Sequence, residues 1–188
     1  MGRVLLVSTL DEGNTPSRFS AMSWPRAEFD LDAYERKVSD GSCFICDLTR
    51  SDPPSDEIVY RTESHIAFLN RFPTLEGYVL LAPVEHREQV IRDYSLDEYL
   101  ELQVALFKLG RAISEVVDTE RLYVLSLGSQ QGNRHVHWHL AALPPGVPVS
   151  SQQFSALMPE KAGYLMIPPE ERLRFAARIR QVLKEPGP

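Results

Sequence analysis

The sequence predicts an α+β fold built on an antiparallel sheet. Two observations support this fold class: short apolar strands follow one another with turn-length links, and one long amphipathic segment separates them into two groups. No apolar run approaches the ~20 residues that span a membrane, so no membrane contact is expected. The net charge of −6 argues against a surface that coats nucleic acid.

We expect one domain with an extension at each end. Residues 1–28 contain scattered Gly, Pro, Ser and Thr without a clear period and form the N-terminal extension; their opening apolar patch is too short for a secretory signal. Residues 29–147 form the main domain. Residues 148–188 form a C-terminal extension, in which Pro168 and Pro169 open a helix with acidic residues in its first turn. Whether this extension covers the sheet or acts as a lid is left open.

The elements of the main domain follow from caps and from hydrophobic spacing. Ser95 is expected to cap the long helix, because Glu98 completes a capping box and the apolar spacing continues to about Val117. Continuous or alternating apolar runs predict strands, and Pro83 ends one of them. The predicted strands span residues 58–61, 66–70, 77–82 and 122–127, and a short helix is predicted over residues 30–38.

Three histidines alternate with apolar residues at His135, His137 and His139. The period of two predicts a half-buried strand, with the imidazoles on one face and Val136, Trp138 and Leu140 on the core side. The first and third Cα of such a strand lie about 13 Å apart, so one metal ion is hardly reached from both ends. At least one imidazole is therefore expected to act as a nucleophile or a proton shuttle.

The triplet and the apolar residues after it resemble the signature of the histidine triad (HIT) superfamily of nucleotide hydrolases and transferases. Further matches lie at residues 43–46, 67–73 and 77–86, so the resemblance covers roughly residues 41–145. Residues 70–73 resemble the fragile-histidine-triad branch, and the Cys-x-x-Cys resembles zinc-containing bacterial members. The resemblance implies a five-stranded antiparallel sheet with the long helix packed on it, and a homodimer.

The resemblance also implies roles for the histidines. His137 matches the residue that attacks the α-phosphorus of a nucleotide, so that water or another acceptor resolves a covalent intermediate. His139 is expected to donate a hydrogen bond to a phosphate oxygen. Asn70 matches the position that contacts the ribose. The site departs from many relatives at Tyr78, where they have a histidine that supports the triad; we expect altered tuning and retained activity.

The loop before the triad contains two glycines that permit close approach of the backbone to an anion. It is about two residues shorter than in the related forms. Phosphate oxygens or the leaving group are expected at Ser129, Gln130, Gln131 and Asn133. Candidates for the apolar walls around a base are Phe44, Ile45 and Phe68, although core packing is the more ordinary role for such residues.

Cys43 and Cys46 form a Cys-x-x-Cys that by itself fits either zinc or redox chemistry. A redox pair is expected at a helix start in a thioredoxin-like pattern, which the sequence does not indicate. The resemblance adds His86 and His135 to the two sulfurs, a complete tetrahedral shell for a structural zinc ion. Thiols in a chain without a recognisable signal predict a cytoplasmic location. His65 has no evident partner and is expected at the surface.

These features predict a nucleotide hydrolase or transferase that acts at the α-phosphate of a small purine nucleotide. Its substrate would be a phosphoramidate, an acyl-adenylate or a dinucleoside polyphosphate. Three alternatives stay open: a nucleotide-binding sensor or scaffold without turnover, a dinucleoside polyphosphate phosphorylase, and a hydrolase in which zinc activates water.

Overall fold

The computed structural model describes residues 24–38, 43–52, 55–127 and 133–185. Its main feature is a five-stranded antiparallel sheet, in which the strands lie in the order Ile58–Arg61, His65–Leu69, Val79–Pro83, Trp138–Leu143, Arg121–Leu125. The predicted α+β fold class is thereby confirmed. The five strands are β2 (Ile58–Arg61), β3 (His65–Leu69), β4 (Val79–Pro83), β5 (Arg121–Leu125) and β6 (Trp138–Leu143); a separate pair joins β1 (Arg26–Ala27) to β7 (Tyr164–Leu165).

The helices flank this sheet. The capping box predicted for the long helix is present, because the Ser95 hydroxyl accepts from the Glu98 amide while the Glu98 carboxylate accepts from the Ser95 amide. Gly77 adopts φ 64° in the turn that leads into β4, a conformation that favours glycine. The helices are α1 (Leu31–Val38), α2 (Phe44–Arg50), α3 (Leu96–Val116), α4 (Phe154–Leu157), α5 (Pro159–Ala162) and α6 (Pro169–Lys184), with a 3-10 turn at Val149–Ser151.

The sheet separates two apolar clusters. On one face, alternate strand residues such as Leu81 and Leu140 pack against α3 and α6. On the other face, residues such as Phe68 and Leu80 pack against α2 and α4, through Ile45 and Ala156. The register pairs Leu80 with His139, so this imidazole extends on the face opposite α3.

The predicted strand over residues 135–139 is only partly correct, since β6 begins at Trp138. Backbone groups of residues 135–137, before β6, form hydrogen bonds outside the sheet ladder. The Val136 amide donates to the Arg87 carbonyl, and the His135 and His137 carbonyls accept from the His137 ring and from the Ser126 hydroxyl. These groups therefore do not join the ladder. The alternation of burial nevertheless holds, with Val136, Trp138 and Leu140 in the core.

The C-terminal helix α6 covers the long helix and β2. Phe175, Ala176 and Ile179 on α6 are buried in the same cluster as α3. This arrangement decides the question left open by the sequence for this helix: α6 covers the core rather than forming a lid. The division into residues 1–28, 29–147 and 148–188 stays a prediction.

Within the described residues, no helix combines the length and the apolar character needed to cross a membrane.

Candidate active site and metal cluster

His137 and His139 lie next to each other at the start of β6. Their ring centroids are 4.9 Å apart, and both side chains are half-buried. Ser126, which follows β5, donates from its hydroxyl to the His137 carbonyl at 2.8 Å. This bond ties the backbone of the triad to the neighbouring strand.

The hydrogen bond of His137 determines which of its ring nitrogens carries the proton. Nδ1 lies 2.7 Å from the carbonyl oxygen of His135. Because a carbonyl only accepts, Nδ1 must be the donor, and the neutral ring keeps its lone pair on Nε2. Burial lowers the pKa of His137, which favours this neutral form. The ring therefore has the protonation state of a nitrogen nucleophile.

His139 has a tyrosine as its partner. The Tyr78 hydroxyl lies 2.9 Å from Nδ1 of His139, and the two ring centroids are 5.8 Å apart. Burial raises the pKa of Tyr78, so the hydroxyl keeps its proton. Burial, followed by the neighbouring His137, lowers the pKa of His139 to about 3. The pair is thus neutral near pH 7. When the hydroxyl donates to Nδ1, the imidazole proton lies on Nε2.

Two sulfurs and two imidazole nitrogens converge beside the triad, at Cys43, Cys46, His86 and His135. Their ligand atoms all lie within 4.8 Å of one another. Nδ1 of His135 is 3.4 Å from Sγ of Cys43 and 3.5 Å from Sγ of Cys46, and Nδ1 of His86 is 3.3 Å from Sγ of Cys46. A tetrahedral zinc site places its nitrogen and sulfur ligands roughly 3.6 Å apart. The cluster could therefore hold a metal ion of this type.

Both histidines of the cluster also have acceptors at their other nitrogen. Nε2 of His135 lies 3.0 Å from the Pro83 carbonyl, and Nε2 of His86 lies 3.3 Å from a carboxylate oxygen of Glu88. Since these groups accept, an imidazole that binds a metal through Nδ1 can donate its N–H to them from Nε2. Carbonyl and carboxylate partners of this kind orient metal-binding histidines. Glu88 was missed in the sequence, although its spacing of two residues from His86 is a usable signal.

The cysteines lie at a helix start, contrary to the expectation from the sequence. Cys43 is the N-cap of α2, and its Sγ accepts from the Cys46 amide at 3.4 Å. The position of the cysteines at the helix start therefore does not distinguish a metal site from a redox pair. The two histidines that face the sulfurs favour a metal site, because they supply nitrogen ligands. Burial and the neighbouring Cys43 raise the pKa of Cys46 to about 11, so ligation requires a cation that displaces the thiol proton.

The predicted nucleotide contacts are described only in part. Ser129, Gln130 and Gln131 lie outside the described residues. Asn133 is half-buried, and its Nδ2 has no hydrogen-bond partner among the residues that the structure describes. The side-chain oxygen of Asn70 accepts from the Phe72 amide at 3.0 Å.

Among the apolar candidates, Ile45 and Phe68 are buried in the core. Phe44 is 41% exposed and packs its ring edge-on to Phe68. Of the three, only Phe44 therefore presents a large surface to a ligand.

His65 is not at the surface, and that prediction is wrong. Its side chain is 3% exposed, because it lies on the same face of β3 as Ala67 and Leu69, the face that packs against α3. Its Nδ1 is 4.0 Å from a carboxylate oxygen of Glu101 on α3. Burial lowers the pKa of His65.

A family model described as the HIT domain matches residues 53–144. Adenosine 5'-monophosphoramidase of Schizosaccharomyces pombe is 25% identical over 131 residues, covering 62% of this chain and 92% of that protein. An uncharacterised HIT-like protein of Mycoplasma genitalium is 30% identical over 113 residues, covering 57% of this chain and 76% of the relative.

Among solved structures, a zinc-bound histidine triad family protein of Mycobacterium smegmatis shares the fold. It superimposes with a TM-score of 0.58 at 18% identity, covering 76% of this chain and 94% of that one. The family model, the relatives and the shared five-stranded sheet agree with the triad read from the sequence. The chain belongs to the histidine triad (HIT) family.

Proposed function

We propose that the protein is a nucleotide hydrolase or transferase that acts at an α-phosphate through a nucleotidyl intermediate on His137. The observation that carries the proposal is the bond from Nδ1 of His137 to the His135 carbonyl, which keeps the lone pair on Nε2. Membership of a family with a relative named as an adenosine 5'-monophosphoramidase supports the substrate class.

The proposed chemistry has two displacements. In the first, Nε2 of His137 bonds to the α-phosphorus, and the bond to the leaving group breaks, so that the leaving group departs with the electron pair; the nitrogen of a phosphoramidate takes a proton from the solvent and leaves as ammonia or an amine. In the second, water bonds to phosphorus, loses a proton to the solvent, and releases the nucleoside monophosphate from Nε2. The imidazolium of the intermediate keeps its proton on Nδ1, where the His135 carbonyl stabilises the positive charge.

His139 is proposed to stabilise charge on the phosphate. With Tyr78 donating to Nδ1, the N–H of the neutral ring is on Nε2 and is available to a phosphate oxygen. Substrates that suit a two-step displacement are phosphoramidates, acyl-adenylates and dinucleoside polyphosphates of a purine nucleoside. Asn70 would contact the ribose; the phosphate contacts would come from Ser129, Gln130, Gln131 and Asn133.

We propose zinc for the cluster of Cys43, Cys46, His86 and His135. The distances among the four ligand atoms and the acceptors behind both histidines support this assignment. Four protein ligands close a tetrahedral shell, so the ion would join α2 to the segment before His137 and take no part in the reaction. Thiolate ligands fit a reducing compartment, and we keep the cytoplasm as the proposed location.

We further propose a homodimer. The outer face of α3 has exposed apolar residues at helical spacing: Leu96, Leu100, Val104 and Phe107. Phe107 lines a groove with Val124, which is also exposed and lies on the edge strand β5. An apolar helix face beside a strand edge that has no partner among the described residues fits a second copy of the chain better than it fits water.

The test of the proposed function is turnover of adenosine 5'-phosphoramidate. We expect AMP release by the wild type and a loss of at least a thousand-fold in the His137→Asn variant, with AMP binding retained. His65→Asn is the matched control, since it removes a buried histidine outside the triad. Binding of AMP without turnover that depends on His137 would favour the sensor instead. Turnover that requires inorganic phosphate would favour a phosphorylase.

A further inference from the structure

Arg172 of the C-terminal helix α6 makes two kinds of contact. Its guanidinium is bidentate with Glu57, at 2.5 Å from Nε and 2.9 Å from Nη2 to the two carboxylate oxygens. Its Nη1 donates to the backbone carbonyl of Asn70 at 3.0 Å. The side chain is only 13% exposed, so these bonds are shielded from water. A guanidinium has enough donors in a fixed plane to serve both partners together.

Asn70 is held from two directions. Its amide donates to the Tyr78 carbonyl at 2.8 Å, and its carbonyl accepts from Arg172. Its side-chain oxygen accepts from the Phe72 amide. The side-chain Nδ2 and the second lone pair of the oxygen are the polar groups that a ligand can use. The direction of the Asn70 side chain depends on the position of its backbone. Arg172 supplies one of the two hydrogen bonds described above that hold this backbone.

The loop after Asn70 is also held by residues outside the matched HIT domain. The Leu165 amide donates to the Pro73 carbonyl at 2.7 Å, and Nη2 of Arg26 donates to the Thr74 carbonyl at 2.9 Å. Both donors belong to the paired strands β1 and β7, and Arg172 follows β7 in α6. The family model ends at residue 144. Residues before and after the matched domain therefore supply much of the hydrogen bonding that holds this loop.

We propose that Arg172 is a positioning residue for nucleotide binding, through which the C-terminal extension sets the orientation of Asn70. The proposal rests on the proposed function, in which Asn70 contacts the ribose. Because the ribose contact is made in the ground state and in the transition state alike, its loss raises KM and leaves kcat nearly unchanged.

The test compares Arg172→Met with two controls. Arg180→Met removes an arginine of the same helix that donates to the Asp56 and Ile58 carbonyls at 2.7 Å each, without contact to Asn70. Glu57→Gln removes the ion pair and leaves the bond to Asn70 in place. We expect Arg172→Met to raise the calorimetric Kd for AMP and the KM for adenosine 5'-phosphoramidate about ten-fold, with kcat within two-fold. Both controls are expected to stay within two-fold of wild type in Kd and KM.

Arg172→Lys is the conservative variant, and it also serves if the methionine variant does not fold. One ammonium group cannot serve the carboxylate and the carbonyl in the same geometry, so an intermediate rise in Kd is expected. A Kd equal to wild type in a folded Arg172 variant would overturn the inference while leaving the proposed function intact. An equal rise in Kd for Arg172→Met, Arg180→Met and Glu57→Gln would overturn the inference too, since a general loss of α6 docking would then explain the effect. A wild type that neither binds nor turns over the nucleotide would refute the proposed function itself.

Discussion

The Tyr78 hydroxyl lies 2.9 Å from Nδ1 of His139, across the pairing of β4 with β6. Tyr78 immediately precedes β4, and the register that pairs Leu80 with His139 brings it alongside the triad. The resemblance to the histidine triad family leads us to expect a histidine at this position. The tyrosine can donate the same hydrogen bond, but its raised pKa keeps it from exchanging its proton near neutral pH. The Tyr78 hydroxyl is thereby a neutral hydrogen-bond partner for Nδ1 of His139.

Replacement of Tyr78 by Phe is expected to lower kcat about five-fold and to leave KM nearly unchanged. The lost hydrogen bond is worth about 1 kcal/mol, and its loss allows the proton of the neutral His139 ring to occupy either nitrogen. Steady-state kinetics with adenosine 5'-phosphoramidate measures the effect. Tyr78→His should recover most of the rate. Tyr123→Phe is the control, because the Tyr123 hydroxyl accepts from the Gln153 amide, outside the triad. Equal kcat in Tyr78→Phe and wild type would disprove the positioning role.

Purified protein is expected to contain about one zinc per chain, on the ligand count of the cluster. His86→Asn should lose the metal and lower the thermal midpoint, since the site joins α2 to the segment before His137. His65→Asn should keep the metal. Elemental analysis and thermal unfolding provide the measurements. If chelation stopped turnover in a protein that stayed folded, and zinc restored it, the ion would be catalytic.

His139 is expected to make stability depend on pH in the acid range. Its pKa in the folded protein is about 3, against about 6.5 when unfolded. Between these values the unfolded state binds a proton that the folded state does not, so the stabilising contribution is present above pH 6.5 and declines as the pH falls. The difference in unfolding free energy between wild type and His139→Asn should change by at most about 1.4 kcal/mol per pH unit across this window. Denaturant titrations at several pH values measure it; a difference independent of pH would contradict the assigned shift.

Phe107→Glu is expected to convert the proposed dimer to a monomer. The side chain is 67% exposed on the outer face of α3, beside the edge strand β5, and a carboxylate there could not be buried against a second copy. Sedimentation or light scattering measures the mass. Ile91→Glu is the control, because Ile91 is 74% exposed but lies outside α3. A monomeric wild type would refute the proposed dimer.

Local signals in the sequence predict the elements well. The capping box of Ser95 and Glu98 determines where α3 begins, and it is present as expected. The apolar run before Pro83 similarly predicts β4 to within two residues at its start. Such signals depend on residues a few positions apart, which the sequence shows directly.

Long-range contacts were less predictable. His65 lies on the face of β3 that α3 covers, and nothing in the residues near His65 indicates that the long helix packs there. The late start of β6 depends on the Arg87 carbonyl and the Ser126 hydroxyl, which approach only in the fold. The bond from Arg172 to Asn70 joins residues 102 positions apart and has no signature in the sequence.

Covalent catalysis by His137 is tested by mass spectrometry of protein quenched with base during turnover of adenosine 5'-phosphoramidate. We expect an added AMP group on the peptide that contains the triad, with fragmentation assigning it to His137. The His137→Asn protein, treated in the same way, should have no adduct. An adduct on His139, or sustained turnover without any adduct on the chain, would contradict covalent catalysis by His137.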